Sequence, residues 1–318
     1  MKIFCGSTSK ELTSDIIRYL NNELDQTIIL GDLKIDYFSD GEILPMFNES
    51  VRDKDIFFVQ STISSNSIME TLLVIDASKR AGCKSFTLVA PFQGYSRQDK
   101  TDHLRSSIGS KMLADILEKV GMSKIITIDL HSSSIQGFFN IPVIHLNGNK
   151  IFIEYILENK IEDLTILAPD QGAVKKTYDF MKAFPDATFA MINKRRVKPN
   201  EIHSMELVGD VRGRNVVIID DMIDTGGTLL KATDLIINSG ANTVRAIATH
   251  GIFSGDGFEN IEKSKLLEVL VSDTIPVNNI DKIPSKIKYV SCAKFLSKVI
   301  LSIRNNGSIN DVNGSLRN

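Results

Sequence analysis

Short apolar runs alternate with stretches of helical periodicity along nearly the whole chain. The runs are Ile56 to Gln60, Ser85 to Ala90, Lys124 to Asp129, Leu164 to Ala168, Val216 to Asp220 and Thr243 to Ala248. They are rich in Val and Ile and lack the strict polar alternation of a half-buried strand, so they read as strands covered on both faces. Between them Ile68 to Ala81, Ile108 to Val120 and Leu229 to Ile237 carry helical spacing. Strands alternating with helices predict an α/β protein whose sheets are mostly parallel and flanked by helices, with right-handed crossovers.

Parts of this pattern occur twice. Lys79 to Ala90 reads as helix end, glycine, strand, and Asn238 to Ala248 repeats that plan; Ile125 to Asp129 and Val216 to Asp220 are both apolar strands ending in Asp. All α/β proteins reuse such units, yet two similar halves meeting near 145–150 form the simplest partition. The expected domains are 1–147 and 148–292, with a helix at about 293–306 packing back on the first and a polar, flexible tail at 307–318.

Composition narrows the class. The 318 residues suffice for two α/β domains, and 42% apolar content supports a full core. A net charge of −2 argues against a general nucleic-acid or membrane-surface binder, so phosphate binding must come from local sites. Cys5, Cys83 and Cys292 are scattered, with no zinc or redox spacing, as in a reducing cytoplasm. Met1 to Gly6 reads as a strand rather than a signal peptide, and no apolar run approaches spanning length.

The most informative stretch is Asp220-Asp221-Met222-Ile223-Asp224-Thr225-Gly226-Gly227-Thr228, between an apolar strand and a helical pattern. Two carboxylates at a strand end can hold sugar hydroxyls or a hard cation. The Thr-Gly-Gly-Thr turn lets backbone approach a phosphate, and the helix start behind it offers N–H groups at the positive dipole end. One loop can thus grip both ends of a phosphorylated sugar. As a plain joint it would need only Asp224 and Thr225 as caps, and three aspartates beside a Gly pair exceed that need.

In open parallel sheets ligands sit beyond the carboxyl ends of strands, so the segment after each strand is a candidate. After Ala90 come Arg97, suited to a phosphate, and Gln98, suited to a base or ribose edge, within a loop that otherwise reads as solvated surface. After Leu130 comes His131, a metal or phosphate contact or a structural histidine. After Ala168 comes Asp170, a helix cap or a hard oxygen donor for Mg²⁺. Lys194-Arg195-Arg196-Val197-Lys198 follows an apolar strand and is either a solvated hairpin or a cationic arm for a transferring phosphoryl group. Phe38-Ser39-Asp40-Gly41-Glu42 is an acidic turn beside an aromatic, and no Walker or Gly-x-Gly-x-x-Gly sequence is present.

Together these motifs resemble the ribose-phosphate pyrophosphokinase (phosphoribosyl-pyrophosphate synthetase) family, collinearly over roughly residues 1 to 305. The loop Asp220 to Thr228 is similar to a ribose 5-phosphate signature shared with type I phosphoribosyltransferases. Phe38 to Glu42, Gly94 to Asp99, Asp129-Leu130-His131 with Gln136 to Phe139, and Lys194-Arg195-Arg196 narrow the likeness to the synthetase. The resemblance implies two related phosphoribosyltransferase-like domains. It implies ATP contacts at Phe38, Asp40, Gly41, Glu42, Arg97, Gln98 and Asp99, and Mg²⁺ at His131 and Asp170. Lys194 and Arg196 would be catalytic. Ribose 5-phosphate would meet Arg196, Asp220, Asp221, Asp224, Thr225, Gly226, Gly227 and Thr228. It also implies a homo-oligomer, a hexamer or a dimer-based assembly, with a subunit-contact and regulatory region around Glu49 to Arg52.

The family pattern is not followed everywhere. Thr101 and His103 stand where cations are common, Asp170-Gln171-Gly172-Ala173 lacks a Gly-Gly pair, and Gly82 replaces a small polar residue. The implied reaction moves the diphosphoryl group of ATP to the 1-hydroxyl of ribose 5-phosphate. Its competitors are a phosphoribosyltransferase, which would need neither Arg97-Gln98 nor the Lys194 arm, and a silent regulatory paralogue.

Overall fold

The computed structural model describes residues 1–24, 27–101, 104–198, 201–277 and 283–313, with the side chains of all of these except 195–198, 201–204, 311 and 313. The chain folds as two units: Met1–Asn147 with Thr274–Pro276 and the stretch from Cys292, and Gly148–Asp273 with Val277–Ser291.

In the first unit five parallel strands run in the order β1 (Lys2–Cys5), β4 (Asp55–Val59), β5 (Ser85–Val89), β6 (Lys124–Ile128), β7 (Val143–Leu146). Apolar residues on both faces explain this, since β4 and β5 bury Ile56, Phe58, Phe86 and Leu88 completely or nearly so. Helix α1 (Lys10–Glu23) buries Leu12, Ile16 and Leu20, one helical stripe, and packs on α8 (Ala293–Arg304). Helix α2 (Ser65–Arg80) opens on a capping box in which Ser64 and Ser67 satisfy each other's backbone N–H. Helix α3 (Gly109–Val120) precedes β6, and α4 (Asn149–Glu158) follows β7 and opens the second unit. An antiparallel hairpin, β2 (Leu33–Tyr37) and β3 (Ile43–Phe47), stands beside the sheet, its lead-in bridged to β1 through Ile3 and Leu30.

The second unit repeats the plan. Its sheet runs β10 (Glu201–Val208), β9 (Thr188–Lys198), β8 (Leu164–Ala168), β11 (Asn215–Ile223), β12 (Thr243–Gly251), β13 (Glu268–Ser272), β14 (Ile287–Val290). All neighbours pair in parallel except the β9–β10 hairpin. Helix α5 (Val174–Met181) follows β8, α6 (Gly227–Asn238) follows β11, and α7 (Gly257–Lys263) follows β12. Strands β8, β11, β12, β13 and β14 thus recapitulate β1, β4, β5, β6 and β7, and β9–β10 takes the place of β2–β3.

The repetition reaches single hydrogen bonds. At the foot of the first sheet Gly82 N–H donates to Lys79 C=O, Cys83 to Ser78, Asp53 to Gly82, Lys54 to Val51 and Lys84 to Lys54. In the second, Gly240 donates to Ile237, Ala241 to Ile236, Gly213 to Gly240, Arg214 to Val211 and Asn242 to Arg214. Each helix ends in a Schellman motif with glycine in the left-handed region, φ 78° at Gly82 and 95° at Gly240. Each following strand is preceded by a Val-Arg-x-Lys/Arg turn whose third residue also has positive φ, 54° at Asp53 and 67° at Gly213. The half of this repeat around the glycines is visible in the sequence. The other half, Val51 to Asp55 against Val211 to Asn215, shares Val, Arg and a cation in sequence, while the match of Asp53 to Gly213 is one of conformation only.

Several elements are longer than their apolar runs. Strand β11 continues past Asp220 to Ile223, pairing Met222 with His250 and Ile223 with Gly251, so Asp221 as well as Asp220 lies inside the strand. Likewise Lys194 belongs to β9. The tail is helical over Ile309–Asn313 (α9), and residues 314–318 lie outside those described.

Candidate active site

The second unit gathers candidate residues at the carboxyl edge of three adjacent strands, β9, β8 and β11. Asp170 follows β8. Its Oδ1 accepts from Ala173 N–H at 3.2 Å, so it braces the turn ahead of α5, whose N-cap is Ala173. Its Oδ2 accepts from Lys194 Nζ at 3.2 Å. The Lys194 side chain is only 7% exposed while that of Asp170 is 40% exposed, so the ammonium is held from below and the carboxylate keeps an open side. The strand conformation of β9 aims Lys194 here, so its side chain is not solvated as that of a plain hairpin lysine would be. The Arg196 side chain lies outside the described residues.

On β11, Asp220 Oδ1 accepts from the Asp221 N–H at 2.8 Å. Burial of the Asp220 carboxyl, reinforced by the neighbouring Asp221 carboxylate, pushes its pKa up to about 8. Lys176 on α5 donates to the Asp220 carbonyl at 2.9 Å and reaches Thr249 Oγ1 at 3.5 Å. Sequence reasoning did not single out Lys176, since one lysine on an amphipathic helix carries no signal.

The loop after β11 does not use the caps a plain strand–helix joint would need. Helix α6 has Gly226 at its N-cap, with φ 74° and no side-chain cap, so neither Asp224 nor Thr225 fills that role. A left-handed N-cap favours glycine. The Asp224 carboxylate instead accepts from Ser254 Oγ, and the Thr225 carbonyl accepts from Asn260 Nδ2 at 2.7 Å. Ser254 was within reach of the strand-end rule, because it follows β12 as the other candidates follow their strands; Asn260, on α7, was not.

In the first unit the hairpin tip Phe38 to Glu42 is exposed, Phe38 at 53%, and closes through Phe38 N–H to the Glu42 carbonyl and Glu42 N–H to Asp40 Oδ1. Arg97 and Gln98 lie in the loop between β5 and α3, where Tyr95 adopts φ 59° and Gln98 packs against Gly109. Asp99 is half-buried and His131, after β6, is exposed. Asp102 and His103 lie outside the described residues.

The first unit's counterpart of the acidic pair is closed. Gln60 stands where Asp220 stands in the second unit, and it is fully buried. Its Oε1 accepts from the Thr8 N–H and hydroxyl, and its Nε2 donates to buried Glu70. Only the second unit offers an acidic pair of this kind among the described residues.

Among the described residues no three His, Cys, Asp or Glu side chains cluster as a metal cage, and no helix is long and apolar enough to cross a membrane. Asp170 is the kind of donor Mg²⁺ takes: a carboxylate with an open side, suited to an ion that keeps most of its waters and binds substrate phosphates.

Comparison with known proteins places this architecture in a class. The N-terminal domain of ribose phosphate pyrophosphokinase matches residues 1–121, and the phosphoribosyl synthetase-associated domain matches residues 175–313. The ribose-phosphate pyrophosphokinase of Caldanaerobacter subterraneus is 38% identical over 97% of this chain and 96% of its own length. That of Porphyromonas gingivalis is 39% identical over 96% of each. The crystal structure of phosphoribosylpyrophosphate synthetase from Mycobacterium smegmatis superposes with a TM-score of 0.88 at 34% identity, covering 96% of this chain and 99% of that one. The chain therefore belongs to the ribose-phosphate pyrophosphokinase family.

Proposed function

We propose that this enzyme transfers the diphosphoryl group of ATP to the 1-hydroxyl of ribose 5-phosphate, giving 5-phosphoribosyl 1-diphosphate and AMP for nucleotide biosynthesis. The observation that carries this reading, within a family likeness spanning the chain, is the buried Lys194 ammonium paired with half-open Asp170 on the strand edge next to the Asp220–Asp221 pair. A fixed cation and a metal-ready carboxylate beside a sugar-binding loop are what an in-line phosphoryl transfer needs, since its catalysis is mostly positioning and charge neutralisation.

Asp220 and Asp221 hold ribose hydroxyls. Asp224, Thr225, Gly226, Gly227 and Thr228 wrap the 5-phosphate, with the start of α6 presenting backbone N–H groups. The sugar 1-oxygen attacks the β-phosphorus and releases its proton to solvent, the bond to the α-phosphate oxygen breaks, and AMP departs with that oxygen. Lys194 and Arg196 meet the charge developing there. Phe38 stacks on the adenine, with Asp40, Gly41 and Glu42 around the nucleoside, and Arg97, Gln98 and Asp99 hold the nucleotide. His131 and Asp170 would hold Mg²⁺, which would neutralise charge on the triphosphate. The exposed stripe Ile108, Met112 and Ile116, spaced as one face of α3, supports a homo-oligomer, hexameric or dimer-based. The cytoplasm is the proposed site of action.

The test is AMP release on mixing the protein with ATP, Mg²⁺ and ribose 5-phosphate. Lys194→Ala is expected to keep ribose 5-phosphate binding and lose ~10²–10³ in turnover. No AMP from the parent protein would defeat the reading, and near-normal AMP from the variant would remove Lys194 from it.

A further inference from the structure

The phosphate loop lies against α7 and the turn before it. Ile252 and Phe253 N–H both donate to the Ile223 carbonyl, and the Asp224 carboxylate accepts from Ser254. Gly257 sits so close that a Cβ there would lie 2.9 Å from the Asp224 carbonyl, and a Cβ on Gly226 would touch Asn260, Ile261 and the Gly257 carbonyl at 3.5–3.7 Å. Across this contact Asn260 Nδ2 donates to the Thr225 carbonyl in the turn itself, at 2.7 Å.

A trans peptide is planar, with its C=O and N–H pointing in opposite directions. Fixing the Thr225 carbonyl toward α7 therefore turns the Gly226 N–H away from α7, to the open side of the loop. Gly226 is the residue at which a flip of this peptide meets least resistance, because glycine populates both signs of φ. A flipped peptide would offer a carbonyl oxygen to an incoming phosphate in place of a donor.

We propose that Asn260 is a positioning residue for ribose 5-phosphate: it locks the Thr225–Gly226 peptide in the orientation that presents the Gly226 N–H to the 5-phosphate. This rests on the reading of Asp224 to Thr228 as the phosphate loop. Asn260 touches no substrate and acts through the Thr225 carbonyl alone.

The experiment compares Asn260→Ala, Asn260→Asp and Asn260→Gln with Asp224→Ala. It measures KM for ribose 5-phosphate, KM for ATP, kcat and thermal midpoint. Asn260→Ala loses one oriented hydrogen bond and should raise KM for ribose 5-phosphate about three- to tenfold. Asn260→Asp sets a carboxylate against the Thr225 carbonyl and should raise it further, while Asn260→Gln, which keeps the donor amide, should recover part of the loss. KM for ATP and the thermal midpoint should stay at the parent values, which a general packing role would not allow. If Asp224→Ala weakens ribose 5-phosphate but Asn260→Asp leaves its KM within twofold of the parent, the peptide-locking role is wrong and the loop assignment survives. If neither variant affects ribose 5-phosphate, the loop assignment itself fails, and this inference with it.

Discussion

At the scale of single residues the site is defined by what surrounds each charge. Lys194 is a cation held in a nearly closed position by one carboxylate, whereas Asp220 is a carboxyl crowded by another acid and by burial, its pKa pushed up to about 8. The second arrangement has a consequence for stability. An unfolded aspartate titrates near ~3.9, so as pH rises above that value the folded Asp220–Asp221 pair, its pKa raised by burial and mutual repulsion, still holds a proton that the unfolded chain has released. Stability from this group is complete below the unfolded value and is lost as pH rises through the folded one, by at most ~1.4 kcal/mol per pH unit. Asparagine does not titrate. Asp220→Asn should therefore gain in thermal midpoint relative to the parent as pH is raised from about 5 to about 8. A gap between the two midpoints that is flat with pH would show that Asp220 is ionised throughout this range.

At the scale of elements, the recurring unit is a helix that ends in a Schellman glycine and hands over to a strand. Both Gly82 and Gly240 have positive φ, yet their surroundings differ. A Cβ on Gly82 would come no nearer than 3.7 Å to Arg52 Cγ, while one on Gly240 would meet Arg212 Cγ at 2.8 Å. Gly82→Ala should thus cost the backbone strain alone, about 1 kcal/mol. Gly240→Ala should cost about 1 kcal/mol more, since Cγ lies near the stem of its side chain and the arginine must shift as a whole. Denaturant unfolding of the two variants measures this order, and an equal loss in both would show that Arg212 yields freely. The apolar runs and helix faces were legible from the sequence because burial on both faces of a parallel strand leaves a local, continuous signal. The ends of β9 and β11 were not legible there: Lys194 and the stretch past Asp220 are polar or break the apolar run, and only pairing with a neighbouring strand keeps them extended.

At the scale of the whole molecule, two units with the same strand order carry different ends. The first closes its Gln60 into a buried polar cluster, and the second leaves an acidic pair and a glycine turn at the equivalent edge. One ribose 5-phosphate per chain is the stoichiometry this difference supports. A ligand that binds only the folded state raises stability by about 2.7 kcal/mol at one hundred times its dissociation constant. Ribose 5-phosphate alone should therefore raise the thermal midpoint of the parent protein. It should leave that of Asp224→Ala nearly where it stands, and calorimetric titration should count one site. Two sites per chain would mean that the Gln60 cluster opens.

The sequence by itself determined the alternation of strands and helices, the family, and which segments follow strand ends, because these depend on hydrophobic period and on motifs a few residues long. Only the tertiary structure decided that Lys194 faces Asp170, that Lys176 holds the Asp220 carbonyl, and that Asn260 donates to the Thr225 carbonyl in the turn before α6. Those partners are brought within reach by strand order and by helices returning over the sheet edge. A side chain's hydrogen bond to a backbone atom 35 residues away, as from Asn260 to Thr225, leaves no periodic trace in the chain.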